Sequence, residues 1–273
     1  KGVQFEAILC SGSMPDAIRI CKKSGDLRKP LSQLVKKWAR DEGADLVGIA
    51  PAQRVDSIAA QVKIIKEGEE LYRVTDKKPR FYRYEPEITV DHRQLKSTSD
   101  YIPGAKSVIV LGLHYPAPVV ERTEKKPAEA VGPYVFVQYE SQRMLGHMAY
   151  SLVKHLQAAG YEAAYSYDPI GVGTMVGSPR GPLYGPTCCA LEAAAAGLST
   201  PTLNGRSVTA EYGMNQNFIA VITDAPMDAD PVRDFRPVQE TCAACRRCAV
   251  WRPCWRLTTP RRPAVTPKPG GAD

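Results

Sequence analysis

Apolar side chains recur at helical spacing through PLSQLVKKWARDEG, at Leu31, Leu34, Val35 and Trp38, with Pro30 near the start of the stretch and Gly43 at its end. Residues three and four apart share one face of a helix, so this period predicts an amphipathic helix with proline in its first turn and glycine as its C-cap. The stretch runs into ADLVGIA, residues 44–50, an apolar run short enough to predict a buried strand. SVIVLGL, residues 107–113, has the same character and is entered through the turn-like YIPGAK. Between the two, Val55, Ile58, Ala59, Val62 and Ile65 fall on one side of a helix predicted over 53–72. The following TDKKPRFYRYEPEITVDHRQ reads as a long irregular connection, of a kind that is usually functional or lid-like.

Downstream, Met144, Leu145, Met148, Ala149, Leu152, Val153 and Leu156 predict a helix ended by Gly160, and YEAAYSY predicts a strand. Glycine and proline punctuate Asp168 to Pro186, which predicts a shaped loop. CCALEAAAAG then predicts a short helix and NFIAVITDAP a further strand. Alternating strands and helices point to a layered α/β domain. The expected organisation is an N-terminal extension over 1–29, an α/β cofactor-binding domain over 30–235, a cysteine-rich module over 236–257 and a tail over 258–273. The tail, TTPRRPAVTPKPGGAD, has too few apolar residues to bury and is expected to be disordered.

An apolar fraction of 44% in 273 residues suits a buried core, and a formal charge of +7 is too modest to suggest a nucleic-acid partner. No apolar run approaches the roughly 18 residues that span a bilayer. KGVQFEAILCSGSMP carries no long hydrophobic signal segment, so the expectation is a cytoplasmic protein without a membrane span.

Cysteine usage changes the picture. Eight cysteines stand at 10, 21, 188, 189, 242, 245, 248 and 254, and their late clustering suits metal binding better than a disulfide scaffold. In ETCAACRRCAVWRPC, Cys242, Cys245 and Cys248 match the first three ligands of the bacterial ferredoxin pattern, in which closely spaced thiolates let one loop wrap a 4Fe-4S cluster. The fourth position departs from it: Arg252 and Pro253 stand where the pattern has its last cysteine and proline, and Cys254 follows a gap containing Trp251. Cys254 is therefore expected to be the weaker determinant. Zinc, which accepts four thiolates in a tetrahedron, is the competing occupant, although its ligands more often come as two separated pairs. The adjacent Cys188 and Cys189 are expected to diverge, one thiol buried and one half-exposed.

Several stretches together resemble one family, the corrinoid-dependent iron–sulfur reductases that include reductive dehalogenases and epoxyqueuosine reductase. The resemblance is carried by ADLVGIAPAQR, DYIPGAKSVIVLGLHYP, AAAAGLSTPTLNGRSVTAEYG and FIAVITDAPMDADP, with the cysteine triplet behind them, and spans about residues 30 to 250. It implies a nitroreductase-like α/β domain that holds cobalamin, beside a ferredoxin-like module. Electrons would pass from a 4Fe-4S cluster to the corrinoid for reductive cleavage of a bond in a small-molecule substrate, supplied by an external donor such as ferredoxin or flavodoxin. Carried over by motif, the corrin-facing positions are Asn204 and Gly205, Glu211, Tyr212 and Gly213, and Thr223 and Asp224, with His114 and Tyr115 at the end of the second strand. The metal ligands would be Cys242, Cys245, Cys248 and Cys254.

A dehalogenase-like mechanism implies a tyrosine proton donor beside a basic residue. Tyr134 and Tyr139 with Arg143 are the leading candidates, and Tyr115, Tyr184, Tyr212 and Arg206 are further ones. Three positions depart from the family pattern. Ser199 replaces a glycine, Leu183 stands where epoxyqueuosine reductases carry an acidic proton donor, and no second cysteine set follows Cys254, so the module is expected to be incomplete. The alternatives are a noncatalytic iron–sulfur or zinc module on the same fold, an epoxyqueuosine reductase-like enzyme, and a flavoprotein, for which no phosphate-binding signature is present.

Overall fold

The computed structural model describes residues 28–66, 96–116, 118–119, 132–171, 175–178, 181–184, 188–202 and 206–233. Four strands form its main sheet: β1 (Leu46–Pro51), β2 (Ser107–His114), β3 (Ala163–Ser166) and, last in sequence, β8 (Gln216–Thr223). Their order is β1-β2-β8-β3 and every neighbouring pair is antiparallel. Helices α1 (Arg28–Asp41) and α3 (Gly132–Ala158) cover one face, and α2 (Ala52–Lys66) and α4 (Ala190–Ala195) cover the other. Burial on both faces explains why β2 and β8 read as continuous apolar runs rather than as alternating ones.

Each face has its own core. Val47, Ile49, Ile109, Leu111, Ile219 and Val221 pack with Leu31 and Val35 of α1 and Leu145, Leu152 and Leu156 of α3. Ala50, Val108, Val110, Ala220 and Ile222 point the other way, onto Val55 of α2 and Ala193 of α4. That second layer is thin because α4 is built from alanines, and it approaches closely. A Cβ on Gly48 would stand 2.6 Å from the Ala196 carbonyl oxygen and 2.8 Å from the Leu198 side chain.

Strand β1 lies at the edge of the sheet, where unpaired backbone groups would invite association. Asp230 closes this edge: its backbone N–H donates to the Ile49 carbonyl at 2.8 Å, and its carboxylate accepts from the Ile49 N–H at 2.8 Å. Lys36 of α1 pairs with the same carboxylate. Arg54 of α2 donates to the carbonyls of Asp230 and Ala195, so one residue joins the edge strand to both helical layers.

The layered α/β expectation holds as a mixed helix and sheet fold, with differences in detail. The stretch expected as a loop over 168–186 contains a hairpin, β4 (Met175–Ser178) with β5 (Gly181–Tyr184), paired from Met175↔Tyr184 to Ser178↔Gly181. Its short Met-Val and Leu-Tyr pairs lie among glycines and prolines, which hide the strand signal. Helix α3 begins at Gly132, well before the periodic run from Met144, so Tyr134, Tyr139 and Arg143 are helical. Cys188 and Cys189 are both buried, contrary to the expected divergence. Cys189 adopts a left-handed backbone (φ 53°) that turns the chain into α4 and carries both side chains inward. A further hairpin, β6 (Thr200–Pro201) with β7 (Ser207–Val208), follows α4. No helix among the described residues is long and apolar enough to cross a membrane.

Replacing Gly48 by Ala places a methyl group against a fixed backbone oxygen. Overpacking of this kind costs about 1–3 kcal/mol; the expected outcome is a lower urea midpoint of unfolding with an unchanged slope, and an unchanged midpoint would mean that α4 can retreat from β1.

Candidate functional site

Register decides which candidate residues meet. In the β2–β8 pair His114 lies opposite Gln216 and Ser107 opposite Thr223, so the two groups of motif residues fall at opposite ends of the sheet. Seven residue steps along an antiparallel strand separate them by about 24 Å. Thr223 and Asp224 are engaged at the far end in holding the entry to β3. The Thr223 hydroxyl donates to the Glu162 carbonyl at 2.7 Å, and the Asp224 carboxylate accepts from the Glu162 N–H at 2.9 Å. The sheet therefore brings His114, Tyr115, Glu211, Tyr212 and Gly213 together and leaves Thr223 and Asp224 apart.

At the near end three segments converge on His114. Asp45, just ahead of β1, places one carboxylate oxygen, Oδ2, where it accepts from the His114 backbone N–H at 2.9 Å and from the imidazole Nδ1 at 2.8 Å. The imidazole stacks on the Tyr212 ring, with centroids 4.4 Å apart and planes 12° from parallel. Tyr212 sits in the turn 209–213, where Thr209 and Gly213 exchange backbone hydrogen bonds of 2.8 and 3.1 Å. The turn needs a positive φ at Gly213 (62°), which explains the glycine in EYG. Nearby, Asn217 donates to the Gln138 carbonyl and to the Ser141 hydroxyl, tying the start of β8 to α3, which carries Tyr139.

The side chains left facing outward are half-buried His114 and Tyr212 and exposed Glu211, which Arg233 approaches at 3.3 Å. Burial, then the carboxylates of Asp45 and Glu211, raise the Tyr212 phenol above its ordinary range. Arg143, expected beside a phenol, instead extends into solvent, 63% exposed, with Glu140 as its ion-pair partner at 3.5 Å. Tyr139 is half-buried on the same helix, and Tyr115 is buried with its N–H donating to the Asn215 carbonyl at 2.7 Å. Ser199, the residue in place of a glycine, is fully buried and its hydroxyl donates to Ser207 at 3.1 Å, so the added side chain serves the β6–β7 hairpin.

Asn204, Gly205, Cys242, Cys245, Cys248 and Cys254 lie outside the described residues, as do the side chains of Tyr134, Leu183 and Tyr184. Among the described residues no group of three or more His, Cys, Asp or Glu side chains could hold a metal ion.

Curated relatives are similar over most of the chain. Tetrachloroethene reductive dehalogenase of Dehalobacter restrictus is 28% identical over 246 residues, covering 87% of this chain and 40% of the relative. Its counterpart in Desulfitobacterium hafniense matches to the same extent. Among solved structures, a catabolic reductive dehalogenase superposes with a TM-score of 0.52 at 18% identity, covering 85% of this chain and 26% of that one. The chain resembles reductive dehalogenases. No family model matches it. The chain spans about two fifths of the length of the reductive dehalogenases that it matches in sequence.

The sequence alone did not single out Asp45 or Glu192. Glu192 of α4 is completely buried: Oε1 accepts from the Ile170 N–H at 3.1 Å, while Oε2 has no hydrogen-bond partner among the described residues. Burial, reinforced by Asp168, pushes its carboxyl up to about 7. The same burial raises the Cys189 thiol, which donates to the Tyr167 carbonyl at 3.1 Å, and raises the half-buried Tyr101 phenol.

Because the folded-state value lies above the ordinary 4.5, the protonated carboxyl favours the folded chain. Its contribution is complete below about pH 4.5 and is lost as pH rises through about 7. The expected loss over that window is about 3 kcal/mol. Urea unfolding measured from pH 4.5 to 8.5 checks this, with Glu192→Gln expected to remove most of the slope; an equally steep slope in the variant would place the titrating group elsewhere.

Proposed function

We propose that this chain is the cofactor-binding part of a redox protein resembling reductive dehalogenases, with a nitroreductase-like corrin-binding layer over 30–235 and an iron–sulfur module over 236–257. The observation that carries the reading is the convergence of HYP, EYG and the aspartate of ADLVG on one end of the sheet, in a chain whose relatives are tetrachloroethene reductive dehalogenases. The residues there suit a corrinoid. The rim of such a cofactor carries amide groups that both donate and accept hydrogen bonds, and Glu211, Tyr212 and His114 present a carboxylate, a phenol and an imidazole edge with partial exposure.

When bound, the corrinoid would supply the low-valent cobalt chemistry that a protein side chain cannot. The chain's own contribution is to hold and orient. Gly213 fixes the turn that presents Tyr212, Asp45 fixes the imidazole, and the two helical layers keep water out of the sheet beneath. Cys242, Cys245 and Cys248 would hold a 4Fe-4S cluster, with Cys254 or another thiolate as the fourth ligand, and an external ferredoxin- or flavodoxin-type donor would deliver electrons. A halogenated small molecule is the proposed substrate class. Its reduction balances as R–X + 2e⁻ + H⁺ giving R–H + X⁻.

Two measurements test the reading. Protein prepared without oxygen is expected to contain iron and acid-labile sulfide in comparable amounts; stoichiometric zinc without sulfide would replace the cluster by a zinc module. Adding cobalamin is expected to shift its visible spectrum toward the base-off form, and no shift at protein concentrations on the order of 100 µM, with flavin binding instead, would favour a flavoprotein.

A further inference from the structure

The geometry points to Asp45 and His114 as an acid–base pair whose Nε2 exchanges a proton with the molecule bound at this end of the sheet. This assignment rests on the proposed function for a halogenated substrate held beside the corrinoid at this end of the sheet, and on the described side chains alone for the pair itself. Both hydrogen bonds from His114 converge on one oxygen of Asp45, from the backbone N–H and from Nδ1. A carboxylate on Nδ1 keeps that nitrogen protonated, fixes the tautomer and stabilises the imidazolium when it forms. Nε2 then remains as the nitrogen that gains and loses a proton, and it has no partner among the described residues.

The ring is also fixed in rotation. Tyr212 stacks on its face, so the imidazole cannot swing away from Asp45 without breaking a ring contact and a hydrogen bond together. The groups around it are Asp45 from the segment before β1, Tyr212 and Glu211 from the 209–213 turn, and Arg233, whose guanidinium is paired with Glu211. Around the imidazole stand two carboxylates and a phenol raised above its ordinary range, and Nε2 is the ring nitrogen that Asp45 does not hold.

Reduction of a carbon–halogen bond consumes one proton, and the pair supplies it from Nε2. Two electrons come from the external low-potential donor, the halide leaves with the bonding pair, and the imidazolium Nε2 gives its proton to carbon. The half-exposed imidazole is reprotonated from solvent. Asp45 touches neither carbon nor halide and acts as the positioning residue.

The test uses the whole chain, with nitrogen NMR of its imidazoles and mapping of histidine carbethoxylation by mass spectrometry. His114 is expected in the Nδ1–H tautomer at alkaline pH, and Asp45→Asn is expected to lose that preference while urea unfolding confirms a folded variant. Carbethoxylation of His114 is expected to be rapid in the free protein and at least tenfold slower with saturating cobalamin. An Nε2–H tautomer, or a tautomer indifferent to Asp45→Asn, overturns the pair. A cobalamin spectrum that shifts on binding while His114 stays equally reactive overturns its placement at the bound molecule and leaves the corrinoid reading standing. A spectrum that never shifts overturns the corrinoid reading, and with it the assignment of the proton's destination, while the tautomer measurement still decides whether the pair exists.

Discussion

The antiparallel pairing of β2 with β8 is the constraint on which the rest of the structure depends. Seven of the eight residues of β2 and all eight of β8 are buried, and the ladder is extended at both ends by the Lys106 N–H on the Thr223 carbonyl and the Tyr115 N–H on the Asn215 carbonyl. Side chains alternate between two separate cores, so a slip of one residue would exchange the contents of both layers. That register cannot drift, and it fixes where the polar residues at the strand ends must stand. His114 and Thr223 are at opposite ends because the sheet is packed on both faces, before any ligand is considered.

The cores also explain which polar groups could be left at the near end. Ser207, Thr209, Gln216 and Asn217 are buried and hydrogen-bonded to their neighbours, Gln216 through its amide to the Ser207 carbonyl at 3.0 Å. Internal satisfaction removes them from ligand binding. Glu192 is the exception at the opposite core. Its buried Oε2 has no hydrogen-bond partner among the described residues, and burial with the carboxylate of Asp168 favours the protonated carboxyl there. The carboxyl holds the Ile170 N–H, so its protonation state bears directly on the loop that opens the β4–β5 hairpin.

Legibility in the sequence followed the range of the interactions. Helix α1 and strands β1, β2 and β8 were readable because their signals are local: periodic leucines in one case, runs of valine and isoleucine in the others. The β4–β5 hairpin was hidden by its glycines and prolines, and the length of α3 by the glycine, proline and β-branched residues of its first turns. At the site, His114 and Tyr212 were visible as motif residues, but their stacking was not. Asp45 was hidden because its partner lies 69 residues away, and an aspartate between alanine and leucine gives no local hint of a histidine. Glu192 sits in an alanine-rich stretch, where one charged residue reads as the solvent face of a helix; only the closeness of α4 to the sheet turns it inward.

The expected tyrosine–arginine donor and the observed surroundings make opposite electrostatic demands. A phenol becomes a useful acid near neutral pH when a nearby cation stabilises the phenolate. Tyr212 has the reverse environment, with Asp45 and Glu211 nearby and Arg233 held by Glu211, and its phenol is raised rather than lowered. Negative charge suppresses phenolate formation at Tyr212, while the same Asp45 carboxylate anchors His114 through Nδ1, so the two stacked rings take different tasks. Tyr212 keeps its proton and serves as a flat hydrogen-bonding wall, while His114, anchored at Nδ1, is left with the nitrogen able to cycle. The carboxylate before β1 thus determines which of two adjacent rings moves a proton, because the sheet register brings it to the end of β2.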